Sequence, residues 1–370
     1  MFANTGWYLY NHRLSLAKAA REAGYEVVLV SPFDRYVERL RKAGFEWHAL
    51  ALDRRGVNPL REGLAIIRIW RLYRRLRPDL VHHFTIKPVI YGTIAARLAG
   101  MTGIVNAITG LGYVFIHEDG TTSLLPRIAQ MLYRHALASD TVHVIFQNPT
   151  DRALFLQRGL VDEERVSLIR GSGVDVTRFR PLPESTDRSM ALYVGRMLWD
   201  KGLGDLAEAG RLLKQRGVPG TIVLVGEPDE GNPASIPAET LREWEEAGVL
   251  EWWGRREDMP AVYAASSMVV LPSHSEGLPR TLLEAAACGR AMVATDIPGC
   301  REVVDHDVNG FLVPVGDADA IAHAIERLFA DSSLRTRMGA AARNKAINAF
   351  ADTRVAAETL VVYRSLVDPE

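Results

Sequence analysis

Residues 268–284 have the sequence MVVLPSHSEGLPRTLLE, in which a short apolar run leads through a polar loop into a helical pattern. The run Met268–Leu271 is typical of a buried parallel strand, because helices cover both faces of such a sheet. Glu276 then falls in the loop at the carboxyl end of the strand, and Glu284 about two turns into the following helix. Open α/β sheets bind their ligands at this edge, so the segment predicts both a parallel sheet and a site.

Short apolar runs alternate with longer helical patterns along the whole chain. Further strands are predicted at residues 25–31, 79–83, 103–108, 141–147, 191–194, 221–225 and 292–295. A helix is predicted at residues 13–23, where Gly24 closes it, and further helices follow Asp317, a plausible N-cap. This alternation favours right-handed crossovers and therefore an α/β fold built on open, doubly wound parallel sheets.

The length of the chain predicts two domains. With 370 residues it exceeds one ordinary core, since domains cluster near roughly 100–200 residues. Pro181 and Pro183 interrupt the periodicity within residues 180–185, as an interdomain linker does. We therefore expect a Rossmann-like domain over residues 1–180, a second over residues 181–350, and a terminal helix over residues 351–370.

The first strand of the first domain is short. Only Met1, Phe2 and Ala3 precede the turn Asn4-Thr5-Gly6, whereas an ordinary strand has about 5–6 residues. Either the start codon lies upstream, or the protein functions with a shortened central strand.

Composition and charge exclude several classes of protein. The formal net charge of −1 gives no global attraction to nucleic acid or to anionic lipid. Two cysteines without metal-ligand spacing suit a reducing cytosol. The N-terminus lacks a basic start followed by an apolar core, and no run of about 18 apolar residues occurs. We therefore expect a cytoplasmic protein without a signal peptide or a spanning helix.

A basic pair follows another predicted strand. Arg196 and Lys201 come directly after residues 191–194, and a guanidinium and an ammonium both suit the oxygens of a diphosphate. Glu276 is placed for a sugar hydroxyl and Glu284 for a ribose diol. Each cluster alone could be ordinary surface charge. Together they indicate one ligand at the carboxyl edge of one sheet.

Three motifs resemble one family of enzymes. GRMLWDKG (195–202), EGLPRTLLEAAACGRAMVATDIPGCREVV (276–304) and NGFLVPVGD (309–317) resemble the retaining family-4 glycosyltransferases of the GT-B fold. The resemblance extends over residues 3–365. It implies two Rossmann-like domains that face a central cleft, a UDP-sugar donor, retention at the anomeric carbon and no metal. It also implies that the terminal helix crosses back to the first domain.

Two further stretches narrow the resemblance. HHFTIKPVIYGTIAARLAG (82–100) and NAITGLGYVF (106–115) are similar to bacterial transferases that extend undecaprenyl-diphosphate-linked sugars. N-acetylgalactosaminyltransferases of glycan and capsule assembly are the nearest subgroup. The implied acceptor is a polyprenyl-diphosphate-linked sugar.

The resemblance assigns roles to individual positions. Arg196 and Lys201 contact the diphosphate and Glu276 the donor sugar, so these three are the expected catalytic residues. Glu284 takes the ribose, the turn at Arg255 seats the nucleobase, and the loop at Gly6 closes over the donor. The expected donor-binding residues are Gly6, Gly195, Arg255, Gly277, Leu278, Pro279 and Glu284.

Four residues are candidates for contact with the acceptor. His82 and His83 end a predicted strand, and Thr85 and Lys87 follow at its carboxyl edge. Histidine is versatile near neutral pH, and Lys87 suits an acceptor diphosphate. Because strand residues alternate between faces, one histidine is expected to point into the core.

Residues 59–77, PLREGLAIIRIWRLYRRLR, predict a basic helix that also carries Trp70 and Tyr73. Such a helix is a candidate for a membrane surface. The segment 60–77 would then hold the enzyme on the inner face of the bacterial plasma membrane. The alternative is a helix that covers the sheet with a solvated basic face, and both interpretations can hold together.

Two other functions remain open. The same fold could act on a soluble acceptor or serve as a nucleotide-sugar epimerase, although the basic helix weighs against both. A catalytically inactive partner in glycan assembly is the third hypothesis, and the presence of all four charged donor-site residues argues against it.

Overall fold

The computed structural model describes residues 1–53, 56, 58–109, 124–183 and 188–367, with the backbone alone for residues 124–130. The chain forms two compact units. The first comprises Met1–Ser172 with Asp352–Glu370, and the second comprises Gly173–Ala351. The division precedes the linker that we predicted at residues 180–185, of which residues 184 and 185 lie outside the described residues.

The first unit contains six described strands, all in parallel pairings. β3 to β6 form one sheet in chain order, and β1 pairs with β2. The strands are β1 (Val28–Ser31), β2 (Glu46–Ala49), β3 (Leu80–Phe84), β4 (Gly103–Ile108), β5 (Val142–Phe146) and β6 (Val166–Leu168). The sequence predicted β1, β3, β4 and β5 but not β2 or β6, which are short and only partly buried.

Helices follow most of these strands. Short π-helical turns, Leu9–Arg13 and Pro88–Gly92, lead into α1 and α4 respectively. The helices are α1 (Leu14–Glu22), α2 (Val37–Lys42), α3 (Pro59–Leu76), α4 (Thr93–Leu98), α5 (Leu124–Leu137) and α6 (Pro149–Gln157). The side chain of Asn58 caps α3 by accepting hydrogen bonds from two backbone N–H groups, and Pro59 occupies its first position.

Phe2, near the N-terminus, connects the pair β1-β2 with the sheet β3-β4-β5-β6. Phe2 bridges to Val30 of β1 on one side and to His83 of β3 on the other, both in parallel. Its N–H donates to His82 O at 2.9 Å, and its carbonyl accepts from the Phe84 N–H at 2.9 Å. Strands β1 and β2 therefore lie on one side of this N-terminal segment and β3 to β6 on the other, as in a doubly wound sheet. The shortened central strand therefore still pairs on both sides.

The second unit holds one six-stranded parallel sheet in the order β12-β11-β10-β7-β8-β9. Its strands are β7 (Met190–Val194), β8 (Thr221–Val225), β9 (Glu251–Trp252), β10 (Met268–Leu271), β11 (Ala291–Thr295) and β12 (Gly310–Val313). Its longer helices are α7 (Leu203–Gln215), α8 (Ala238–Glu246), α9 (Met259–Ala265), α10 (Arg280–Ala287), α11 (Ala318–Ala330) and α12 (Ser332–Phe350). The predicted α/β class with two doubly wound parallel sheets is confirmed.

The strands β7, β8, β10 and β11 form the centre of the second core. Leu192, Val223, Val269 and Val293 are fully buried, as are their chain neighbours on both faces. Continuous apolar runs were the signal for these strands in the sequence, because helices on both faces leave no side exposed to water. β9 and β12 lie at the two edges, and neither was predicted.

The last helix, α13 (Asp352–Val367), belongs to the first unit. It packs against α1, β3 and β4, and its Val355 and Tyr363 are buried. The Tyr363 hydroxyl lies 2.6 Å from His82 Nδ1. Burial lowers the pKa of His82 well below its usual range, so the ring is neutral and shares a hydrogen bond with the Tyr363 hydroxyl.

The change Tyr363→Phe should weaken the first unit. Removal of the hydroxyl leaves a buried imidazole nitrogen without its hydrogen-bond partner, and the expected loss is about 1–3 kcal/mol of the free energy of unfolding. Denaturant unfolding followed by fluorescence measures it. The matched control is Tyr25→Phe, since Tyr25 contacts the Tyr363 ring at 5.8 Å but is only half-buried. Equal effects of the two changes would contradict the prediction.

Candidate functional site

The candidate site lies at the carboxyl edge of the second sheet. β7 and β10 are neighbours in this sheet, so the loops that follow them meet, although they are far apart in sequence. The loop after β7 carries Arg196 and Lys201, and the loop after β10 carries Glu276. The two charged clusters found in the sequence therefore lie together.

Lys201 and Glu276 form an ion pair within this site. Lys201 Nζ lies 2.8 Å from Glu276 Oε1, and the side chains are only 17% and 18% exposed. The Ser273 hydroxyl donates to the same oxygen at 2.8 Å. Among the described residues, no hydrogen bond ends on Glu276 Oε2. The pair is thus shielded from water while one carboxylate oxygen remains available.

Arg196 presents its guanidinium to solvent. Its side chain is 54% exposed, and Nη1 lies 2.7 Å from Asp229 Oδ2. Asp229 also accepts from Asn232 Nδ2 at 3.1 Å, and the Tyr193 hydroxyl donates to the carbonyl of Arg196 at 3.0 Å. We did not identify Asp229 from the sequence. The sequence could have indicated it, because Asp229 lies in the loop after β8 and β8 is a neighbour of β7 in the sheet.

Glu284 lies in the second turn of α10, as the sequence predicted. Arg280 Nε donates to Glu284 Oε1 at 2.7 Å, and the Tyr263 hydroxyl donates to Oε2 at 3.0 Å. The carboxylate is 12% exposed. Burial raises the pKa of Tyr263, and the neighbouring carboxylate of Glu284 raises it further, so this phenol stays protonated and can only orient the glutamate.

The loop between Glu276 and α10 passes close to other backbone segments. Gly277 and Leu278 lead to Pro279, which has extended backbone angles at the start of α10. A Cβ atom on Gly299 would lie 2.4 Å from the carbonyl oxygen of Glu276 and 2.6 Å from that of Gly277. Glycine is therefore required at position 299 for this packing.

Gly195 and Arg255 also lie in the second unit. The Gly195 N–H donates to Val225 O at 3.0 Å, which ties the start of its loop to β8. Arg255 follows β9 in a turn, is 26% exposed and lies 3.6 Å from the carboxylate of Glu257. Gly6 belongs to the first unit. A Cβ atom there would lie 2.6 Å from Asp34 Oδ1, and Asp34 also accepts the Trp7 N–H at 2.8 Å.

Both histidines proposed for the acceptor side are buried, which corrects the prediction that only one would be. His83 is fully buried; its Nδ1 lies 2.9 Å from Asn106 Oδ1 and its Nε2 2.8 Å from the Tyr73 hydroxyl. Burial lowers the pKa of His83 to about 3. On the other face, α13 covers His82. The prediction failed because a helix distant in the sequence covers a face that the strand pattern alone left open.

Thr85 and Lys87 are also enclosed by protein. Thr85 has a left-handed backbone with φ of 72°, and its buried hydroxyl lacks a hydrogen-bond partner in the described part of the chain. Lys87 Nζ lies 2.7 Å from Glu62 Oε1 and donates to Gly56 O at 2.6 Å. With 16% of its side chain exposed, Lys87 stabilises the start of α3.

Within the described ranges, no group of three or more His, Cys, Asp or Glu side chains is arranged to hold a metal ion. The described helices also include none that is long and apolar enough to cross a bilayer. Residues 110–115 of the stretch NAITGLGYVF lie outside the described residues.

Comparison with known families gives two matches that follow each other along the chain. The model "Glycosyl transferase 4-like" matches residues 1–148. The model "Glycosyl transferases group 1" matches residues 176–345, which include every candidate residue of the second unit.

Similar proteins span nearly the whole chain. The N,N'-diacetylbacillosaminyl-diphospho-undecaprenol alpha-1,3-N-acetylgalactosaminyltransferase of Campylobacter jejuni is 26% identical over 98% of this chain and 96% of its own. An Escherichia coli UDP-Gal:alpha-D-GlcNAc-diphosphoundecaprenol alpha-1,3-galactosyltransferase is 27% identical over 80% of this chain and 78% of its own. The crystal structure of Anabaena HepE in complex with UDP matches with a TM-score of 0.76 at 20% identity, over 99% of both chains. This structural likeness bears on the fold alone, which is GT-B.

The change Gly299→Ala should displace the loop that carries Glu276. The added Cβ meets two backbone carbonyls, which cannot rotate away, so we expect a loss of about 1–3 kcal/mol of stability and faster hydrogen exchange at residues 276–279. The control is Gly204→Ala, whose Cβ would lie 3.5 Å from the Trp199 ring, an ordinary contact. Unchanged exchange in the Gly299 variant would show that the loop tolerates the methyl group.

Proposed function

Because the chain belongs to the group 1 glycosyltransferases of the GT-B fold, we propose that it is a retaining enzyme of bacterial surface glycan assembly. It moves a hexose or N-acetylhexosamine from a UDP-sugar to an acceptor sugar linked to polyprenyl diphosphate. The observation that carries the proposal is the meeting of Arg196, Lys201 and Glu276 at one sheet edge, with Glu284 on the adjoining helix.

The geometry of the site suits a nucleotide diphospho-sugar. Arg196 is exposed and offers a planar fork to phosphate oxygens, while Lys201 offers a point charge. Glu276 keeps Oε2 for a donor sugar hydroxyl, since its described hydrogen bonds end on Oε1. Glu284, held by Arg280 and Tyr263, is oriented to accept from a ribose diol. The backbone N–H groups at the start of α10 favour the negative charge of the diphosphate.

In the proposed reaction the bond between the anomeric carbon and the diphosphate oxygen breaks. A bond from the acceptor hydroxyl forms on the same face of the sugar, and the hydroxyl proton moves to the departing phosphate oxygen, so that UDP is released. Negative charge grows on the diphosphate in the transition state. Arg196 and Lys201 would therefore stabilise the transition state more than the bound donor.

The low exposure of Lys201 and Glu276 adds to this effect. In a site with little water, a charge acts on its neighbour more strongly than it would in solvent. Glu276 holds the ammonium in place before the donor binds, so the cation needs little reorganisation when charge develops. Asp229 has the corresponding effect on Arg196, whose guanidinium it contacts at 2.7 Å.

The names of two relatives support the lipid-linked acceptor. Both the Campylobacter and the Escherichia coli enzymes are named for undecaprenyl-diphosphate-linked acceptor sugars, and the latter name includes a UDP-sugar donor. The HepE structure contains UDP. With His82, His83 and Lys87 enclosed by protein, we infer that acceptor contacts come from other groups. Trp7 and Asp34, which lie beside Gly6 in the first unit, are our candidates for these contacts.

The surface of α3 supports a position on the membrane. Leu60, Leu64 and Ile67 are 80%, 51% and 45% exposed on its amino-terminal half. Exposed arginines follow the same helix to its end, namely Arg61, Arg68, Arg71, Arg74 and Arg75. Apolar side chains flanked by cations are typical of helices that lie in the interface of an anionic bilayer. We therefore propose a peripheral enzyme on the inner face of the bacterial plasma membrane, bound through residues 60–77.

The experiment that tests the proposal measures UDP release from a panel of UDP-, GDP- and ADP-sugars, in EDTA, with and without a short-chain polyprenyl-diphosphate sugar. Release that depends on both a UDP-sugar and this acceptor is expected. Turnover only on soluble acceptors would favour the soluble-acceptor hypothesis. Donor binding without turnover on any acceptor would favour the inactive partner.

In this assay Lys201→Ala and Glu276→Gln should each lower kcat by about 10²–10³-fold, as the loss of one oriented electrostatic group does. Because glutamine keeps the shape of the glutamate side chain, the Glu276→Gln variant should fold as the unmodified protein does, and a lower kcat then reports the lost charge. Arg211→Ala is the control, because Arg211 is an exposed residue of α7 that pairs with Glu208 on the same helix. Normal turnover in both site variants would exclude this donor site.

Membrane binding can be tested separately by reversal of charge. The combined change Arg71→Glu, Arg74→Glu and Arg75→Glu should weaken binding to vesicles with anionic lipid by about a hundredfold or more, since each cation near such a surface contributes about 1 kcal/mol. Vesicle sedimentation measures it. The matched control reverses Arg211, Arg242 and Arg337 of the second unit, which gives the same net charge. Equal losses in both triple variants would mean that α3 has no special role.

A further inference from the structure

A cavity of about 510 Å³ lies at the amino edge of the first sheet. Arg77 and Asp79 line it from the segment before β3, and Thr102 from the segment before β4. Val367 of α13 forms another wall. The cavity therefore lies within the first unit, at the edge opposite to the carboxyl ends of its strands.

The charged groups of the cavity are unpaired within the described chain. Arg74 and Arg77 are exposed, and no described carboxylate forms an ion pair with either of them. Neutralisation of these cations by phosphate oxygens would add charge-assisted hydrogen bonds. Arg77 holds its left-handed backbone, with φ of 47°, at the end of α3.

The cavity is not uniformly basic. Asp79 also lines it, and α3, α4 and α13 all end at its rim. Helix carboxyl ends carry partial negative charge and favour a cation. The arginines of the lining can therefore contact a phosphate. The neighbouring carboxylate of Asp79 and the helix carboxyl ends can contact an ammonium group. A zwitterionic phosphate ester complements this lining better than a simple anion.

An apolar groove of about 220 Å³ adjoins the cavity. Ile66, Ile67, Trp70 and Leu98 line it, and Trp70 Nε1 donates to Leu98 O at 3.3 Å. Trp70 of the groove and Arg74 of the cavity lie one turn apart on α3, and the Trp70 ring is 5.9 Å from the guanidinium carbon of Arg74. A polar cavity beside an apolar groove matches an amphiphile with a headgroup and a hydrocarbon chain.

We propose that this cavity and groove bind one glycerophospholipid of the phosphatidylethanolamine class. Arg74 and Arg77 contact its phosphate, Asp79 its ammonium, and the groove the first part of one acyl chain. The inference rests on the proposed position of α3 at the bilayer, which supplies the lipid. This lipid is distinct from the sugar acceptor, because the five residues of β3 at about 3.3 Å each separate the two edges of the sheet.

The test uses the full chain and short-chain lipids at concentrations where they are monomeric, so that recruitment to a membrane does not contribute. Calorimetric titration compares dihexanoyl phosphatidylethanolamine, dihexanoyl phosphatidylglycerol and inorganic phosphate. We expect saturable binding of one phosphatidylethanolamine molecule, with affinity about fivefold above that for phosphatidylglycerol. Inorganic phosphate, which lacks both chain and ammonium, should bind more weakly than either lipid.

Two variants and a matched control test the residues. Arg74→Gln with Arg77→Asn should lower the affinity for phosphatidylethanolamine about tenfold or more, as the loss of a charge-assisted hydrogen bond does. Asn suits the left-handed backbone at position 77. Arg61→Gln with Arg68→Gln changes the net charge equally on the same helix but outside the cavity, and should leave the affinity within about twofold.

A third variant separates this proposal from the transferase proposal. Thr102→Trp places a bulky ring in the cavity from an exposed position without a change of charge, so it should obstruct lipid binding while UDP release on a short-chain acceptor stays normal. Asp79→Asn should remove the preference over phosphatidylglycerol. Equal binding of both lipids by the unmodified protein, or lipid binding that survives Thr102→Trp, would overturn the proposal. Absence of transferase activity with lipid binding intact would overturn only the proposed function.

Discussion

The candidate site depends on one constraint, the parallel pairing of β7 with β10. Parallel strands place their carboxyl ends at one edge of a sheet, so the loops that follow neighbouring strands meet there. Lys201 and Glu276 are 75 residues apart in the chain and yet form an ion pair at 2.8 Å. Ser273, three residues before Glu276 in the same loop, donates to the glutamate, and the adjacency of β7 and β8 brings Asp229 to Arg196.

Close packing of backbone supports this ion pair. Glu276 lies in a loop that a second segment, at Gly299, approaches too closely for any side chain. Lys201 is followed by Gly202, whose left-handed backbone, with φ of 69°, passes against the carbonyl of Pro272. A carboxylate and an ammonium held between such segments have few alternative positions. For a transferase this matters, because preorganised charges act without reorganisation when the leaving group departs.

The first unit is organised around β3 and the helices on its two faces. Tyr73 of α3 and Asn106 of β4 bind His83 on one face, while Tyr363 of α13 binds His82 on the other. The same helix α3 turns its opposite side to solvent with apolar and basic side chains. One helix therefore contributes to the core and also presents the proposed membrane surface, so the second interpretation of its sequence stays a prediction beside the first.

The amino-acid sequence alone predicted the fold class, most of the buried strands and the charged residues that meet at the carboxyl edge of the second sheet. It did so because continuous apolar runs are required of strands covered on both faces, and because charged loops after such strands lie at a known edge. The sequence analysis did not find the short edge strands: β2, β6 and β9 are only partly buried, and β12 is a four-residue strand that begins with a glycine. The sequence also could not show that α13 buries His82, that Lys87 pairs with Glu62 or that Asp229 meets Arg196. Those contacts join segments distant in the chain, and only packing in three dimensions selects which polar groups become partners.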